Sequence, residues 1–219
     1  NLTKIFSNDG TGSIIFNENT YDISNLIFVY LSKPFLISHI LYGGVNFINS
    51  KVKLKNIYVK NSKNEDGINI INSDTEVSNI YFENIKADAF DVDFGSLIFK
   101  NIDCKNIKND CLDISGATVI GENLLSNNTF DKGISVGENS DVKIVNLKTF
   151  NTNIGLAVKD GSKANFKNVD FDKNNLDIIV FNKKQEFSKP SLIIDGLSKI
   201  DMKKILQSKG TKLVINNID

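Results

Sequence analysis

Five aspartates in two clusters are the residues of this chain best suited to chemistry: Asp88, Asp91 and Asp93, then Asp110 and Asp113. Asp88 and Asp110 lie 22 residues apart, as do Asp91 and Asp113. Stacked carboxylates oppose each other's ionisation, so one of each pair is expected to hold its proton unusually tightly unless a cation sits between them. A protonated carboxyl beside an ionised one can act as general acid and base at a glycosidic bond. Several carboxylate oxygens can also gather a hard cation, which makes Ca2+ the candidate cofactor. Continuing the same step, Lys132 follows Asp88 and Asp110, and Lys159 follows Asp93, Ser115 and Gly137. Asp88, Asp91, Asp110, Asp113 and Lys132 are therefore the candidate catalytic residues. Lys159, Asp93 and Glu138 are the candidate substrate contacts on an acidic sugar chain.

The 22-residue step is also the period of the scaffold. One column reads Ile68, Phe90, Leu112, Ile134, Leu156, Ile178, and two places on another reads Ile70, Val92, Ile114, Val136, Val158, Val180. All twelve are apolar in a chain that is 41% hydrophobic. Residues two apart on a strand point the same way, so both columns face inward. Between them runs an outward column: Asn69, Asp91, Asp113, Ser135, Ala157, Ile179. Period-2 strands repeating every 22 residues, with Asn and Gly at the corners, predict an all-β, single-stranded right-handed parallel β-helix. A leucine-rich repeat would need Leu-x-x-Leu-x-Leu and an asparagine ladder, whereas this chain favours Ile and Val without that spacing.

Regular coils are expected over 45–184, with first coils and a cap over 1–44 and a second cap over 185–219. Pro34 and the run to Leu41 suggest a covering segment or short helix. Ser191–Ile194 and Lys212–Ile215 read as last strands, with a short helix possible over Asp201–Ser208. The chain opens on Asn1 without a Met, which suggests a piece of a longer protein.

Composition narrows the partners. Formal net charge is zero, with 26 lysines and no arginine, which argues against nucleic-acid wrapping. No apolar run is long enough to span a membrane. The 65–113 stretch holds 11 acids against 4 lysines, and 183–219 holds 8 lysines against 4 acids. The lack of arginine alongside abundant Asn, Ile and Lys fits an AT-rich coding genome. Cys104 and Cys111 are expected to be free thiols in or near the core, and His39 a packed histidine. Tyr58 and Tyr81 read as a packing ladder.

Four short segments carry a resemblance. They are Lys86-Ala87-Asp88-Ala89 with Phe90-Asp91, Lys108-Asn109-Asp110-Cys111, Asp131-Lys132-Gly133-Ile134-Ser135-Val136-Gly137, and Ala157-Val158-Lys159. In that order they resemble segments of the polygalacturonases, pectin-hydrolysing glycosidases built on a right-handed parallel β-helix. The resemblance implies that Asp88 and Asp110 act as acid and base and that Lys159 holds a uronate. Asn109, Lys132 and Ala157 stand where that family has Asp, His and Arg. Asp91-Val92-Asp93 is more loosely similar to the signature of the alginate C5-epimerases. Lys132 beside Asp110 would suit the base of a calcium-dependent lyase of this fold.

The expectation is a domain that engages polysaccharide or another glycan, with hydrolase, lyase or epimerase-like chemistry on stacked aspartates, outside the cell or at its surface. The alternative is a non-catalytic structural or docking module of a larger surface or assembly protein, contacting other domains of the same parent. Asp66, Asp74 and Asp160, and to a lesser degree the stacked aspartates, could instead cap backbone groups at coil corners.

Overall fold

The computed structural model describes residues 2–33, 41–63 and 66–216. The chain is a right-handed parallel β-solenoid of about 9 turns, with 67% of residues in strands. Its strands are β1 (Thr3–Phe6), β2 (Ile14–Asn17), β3 (Thr20–Val29), β4 (Val45–Ile48), β5 (Lys51–Lys60), β6 (Ile68–Ile85), β7 (Phe90–Ile107) and β8 (Leu112–Thr129). After them come β9 (Lys132–Gly137), β10 (Asp141–Phe150), β11 (Ile154–Lys159), β12 (Lys163–Asp172), β13 (Leu176–Phe181), β14 (Ser191–Leu197), β15 (Ile205–Gln207) and β16 (Lys212–Asn216). One stack runs β2, β4, β6, β7, β8, β9, β11, β13, β15. A second runs β1, β3, β5, β6, β7, β8, β10, β12, β14, β16. The long strands β6, β7 and β8 belong to both, and all the pairings are parallel.

Sequence alternation builds the core directly. All twelve residues of the two inward columns are 0% exposed. Their register is the 22-residue step itself: Ile68 pairs Phe90, which pairs Leu112, which pairs Ile134. Each layer covers the apolar face of the one before, so the core is continuous along the axis.

The corners have their own chemistry. In the coil that starts at Ile68, Asn72, Asn79 and Asn84 have φ of 47°, 61° and 57°. Asparagine tolerates this left-handed conformation better than most residues. At one corner Asn25, Asn56, Asn79, Asn101, Asn123, Asn146 and Asn168 form a chain in which each Nδ2 donates to the Oδ1 one coil back, at 2.7–3.1 Å. A second ladder joins Asn61, Asn84, Asn106, Asn128 and Asn151. Asparagine ladders are thus present, on a scaffold whose faces are parallel strand throughout.

Two expectations change. Cys104 and Cys111 are not free thiols: they form a disulfide across the corner between β7 and β8, with both residues fully buried. The corner folds the chain back and brings their Cα atoms to 5.8 Å, within disulfide reach. Asp201–Ser208 is not a helix of any length. It contains one 3-10 turn, Met202–Lys204, and then β15, which pairs with β13 and so extends the first stack. The expected covering segment at Pro34 and the packed His39 lie outside the described residues. The last strands fall where expected, as β14 and β16, and Tyr58 and Tyr81 stack at 4.8 Å between ring centroids.

Candidate functional site: a stacked carboxylate face

Asp88 and Asp110 lie at the corner entering the first face. Asp66 Oδ1 accepts the Asp88 amide at 3.3 Å, Asp88 Oδ1 accepts the Asp110 amide at 2.7 Å, and Asp110 Oδ1 accepts the Lys132 amide at 2.9 Å. Each carboxylate therefore caps the backbone one coil on. Asp110 is 2% exposed. The Lys132 ammonium lies 3.3 Å from both Asp110 oxygens and also bonds Asp131. The disulfide closes this same corner, since Cys111 follows Asp110 directly.

Asp91 and Asp113 stand one strand apart on the first face, directly paired. Asn69 Nδ2 donates to Asp91 Oδ2 at 2.9 Å, and Asp113 Oδ1 accepts the Ile114 amide at 3.0 Å. Ser135 follows Asp113 in register. This outward column is more covered than an open sheet would be, for Asn69, Ser135 and Ala157 are buried. Gly43 lies against Asn69 so closely that a Cβ there would come within 2.9 Å of it. Asn69 Oδ1 and Ser135 Oγ, on either side of the aspartate pair, are buried without a hydrogen-bond partner.

The neighbouring column carries Asp93 and Lys159. The stem of Lys159 lies over Gly137, where a Cβ would come 2.7 Å from Lys159 Cε. Glu138 Oε1 accepts from Lys184 Nζ at 2.6 Å, and its charge still bears on Asp93.

Burial sets the electrostatics. It raises Asp91 most, to about 9, assisted by the charges of Asp93, Asp66, Asp113 and Asp88. Burial, then the charge of Asp113, raises Asp88 to about 6. Burial, then Asp88, raises Asp110 to about 8 against the opposing pull of Lys132. Asp93 is also raised, chiefly by burial. Asp88 and Asp110 titrate as a pair that holds one proton between them at intermediate pH. We place the remaining charge on Asp110, because Lys132 is itself raised. Burial alone would lower Lys132, and only the charges and hydrogen bonds of Asp110 and Asp131 reverse that. Lys132 is thus an ammonium counter-ion to Asp110 and not a proton acceptor near neutral pH.

Among the described residues, no three His, Cys, Asp or Glu side chains are placed to hold a metal ion. Asp160 caps backbone groups as foreseen, whereas Asp74 bonds a side chain. Asp160 Oδ1 accepts the Lys183 and Lys184 amides, and Asp74 Oδ1 accepts Ser96 Oγ. Sequence reasoning passed over Asn69 and Ser135 as site residues, although both stand in the outward column that contains Asp91 and Asp113. Comparison with protein-family models, curated proteins and solved structures gave no match.

Proposed function

We propose that this domain engages an acidic polysaccharide on the carboxylate face and performs acid–base chemistry there, with Asp91 as acid and Asp113 as its partner. The observation that carries this reading is the direct pairing of Asp91 and Asp113 on adjacent strands, with no lysine bonded to either among the described residues. Asp91 is protonated at neutral pH and so is able to donate to a leaving oxygen. Parallel strands are about 4.8 Å apart. That spacing suits the close carboxyl pair of a retaining glycosidase, about 5–5.5 Å, better than the wider pair of an inverting one. Lys159 supplies positive charge for a uronate.

The likeness to polygalacturonase segments supports the substrate class and shifts the roles. Asp88 and Asp110, the residues it marks, cap the backbone of the next coil and Asp110 also holds Lys132, whereas Asp91 and Asp113 accept only from Asn69 and the Ile114 amide among the described residues. The test is to incubate the domain with acidic and neutral polysaccharides, with and without Ca2+, and to follow binding and new reducing ends. Release of new reducing ends from an acidic glycan that Asp113→Asn abolishes supports the proposal, and absence of product from every glycan removes it.

A second reading has its own observation. The Asp66–Asp88–Asp110–Lys132 chain of amide caps is what a rigid, non-catalytic spacer or docking module would need. Under that reading Asp91→Asn and Asp113→Asn raise stability and change nothing else.

A further inference from the structure

One corner away from the carboxylates runs a groove of about 640 Å³. Its lining includes Lys63, Lys86 and Lys108, together with the ladder amides of Asn61, Asn84, Asn106 and Asn128. The three lysines stand two places after consecutive ladder asparagines, so they recur once per coil, and all three are exposed. Among the described residues no carboxylate lines the groove and none of the three lysines forms an ion pair. Aromatic rings mark its two ends. Lys63 Nζ lies 5.4 Å from the Tyr30 ring centroid, and Lys108 Nζ lies 3.6 Å from that of Phe130. Each ladder amide has a second N–H beyond the one it gives to its neighbour.

We infer that this groove is a binding site for a linear glycan carrying one anionic group, carboxylate or sulfate, on each residue. Three unpaired ammonium groups spaced at about one strand separation, about 4.8 Å, match a chain whose charges recur once per sugar ring. The asparagine N–H groups supply neutral donors for hydroxyls along the same line. Duplex nucleic acid fits less well, with one charge per about 3.4 Å on each strand. Single strands bind by stacking bases on open aromatic faces, and here an ammonium faces each end ring. The groove lies beside the carboxylate column and depends on none of its members, so it extends the proposed function to a second site.

The test is titration calorimetry with the folded chain. The probes are a galacturonate hexamer, a sulfated glycosaminoglycan hexamer, a neutral cellulose hexamer, and a single-stranded oligodeoxynucleotide of equal charge. The expected result is binding of one or both acidic glycans, no binding of the neutral one, and loss of affinity as salt rises. Lys86→Ala with Lys108→Ala should weaken binding at least about tenfold. Lys53→Ala, on another face and ion-paired with Glu76, should leave it unchanged. Which acidic hexamer binds tighter separates carboxylate from sulfate. The inference is overturned if neither acidic glycan binds, if the double lysine variant binds like the parent, or if the oligonucleotide binds more tightly than both. Asp91→Asn separates the two proposals: it should spare binding in the groove and remove acid–base chemistry.

Discussion

At the scale of single residues, burial converts a row of aspartates into groups with different duties. Asp110 has lost almost all contact with water, and its charge is matched by the Lys132 ammonium and amide. Removing one partner of such a pair leaves the other charge buried and uncompensated. Asp110→Ala should therefore destabilise the domain by about 3 kcal/mol. Asp110→Asn should cost clearly less, since its Oδ1 can still accept the Lys132 amide. Chemical denaturation of the two variants checks the order, and equal losses would show that the amide cap contributes nothing. The candidate acids were legible in the sequence because a single 22-residue step lines them up. Their division of labour was not. Whether an oxygen caps the backbone of the next coil, as in Asp88, or that of its own strand, as in Asp113, depends on corner geometry that residue spacing does not encode.

At the scale of the element, the corners govern. The column of asparagines was visible only in fragments. The echo of Lys-Asn-Ile-Tyr-Val at 55–59 in Ser-Asn-Ile-Tyr-Phe at 78–82 contains the ladder residues Asn56 and Asn79. The ladder's first step is 31 residues and the later ones are 22 or 23, so a fixed period of 22 loses it. Asn101 has φ of 66° and bonds the ladder amides on both sides. Asn101→Ala should lose those bonds and strain the backbone, for a cost of about 2–3 kcal/mol. Asn101→Gly keeps the conformation and should be milder. Thermal melts of the pair separate backbone strain from ladder bonding.

The disulfide escaped the sequence reading for a related reason. Two cysteines seven apart meet only because a corner intervenes between β7 and β8. Cys104→Ser with Cys111→Ser should lower stability by about 2–3 kcal/mol, and reduction of the parent chain should reproduce the shift.

At the scale of the whole molecule, the coils form one continuous core, and all twelve residues of the two apolar columns lie in it. The charges on that core make stability depend on pH in a defined direction. Asp91 keeps its proton in the folded chain to about pH 9, and the Asp88–Asp110 pair keeps its shared proton until between about pH 6 and about pH 8, whereas the ordinary aspartate value is 3.8. Between those limits folding takes up protons, so their contribution is greatest at acid pH and falls as pH rises toward 9. Glu83 and Asp170 are lowered, chiefly through hydrogen bonds from Lys60 and Ser198 respectively, and their contribution fades as pH falls through the acid range. The melting temperature should peak in mildly acidic solution and decline above neutrality. Asp91→Asn should flatten the decline, so that its gain over the parent chain grows as pH rises from 6 to 9. A melting temperature that rises from pH 6 to 9 would contradict the buried, protonated state of these groups.

The carboxylate face and its pairing are the centre of the functional account, and product analysis on an acidic polysaccharide tests them most directly. The domain is incubated with polyuronate, and proton NMR records the anomeric configuration of the first product formed. The account predicts cleavage with retained configuration, a rate that falls above about pH 9 as Asp91 loses its proton, and loss of at least a hundredfold in rate in Asp91→Asn and Asp113→Asn. Cleavage that persists in both variants, or products of inverted configuration, would contradict it.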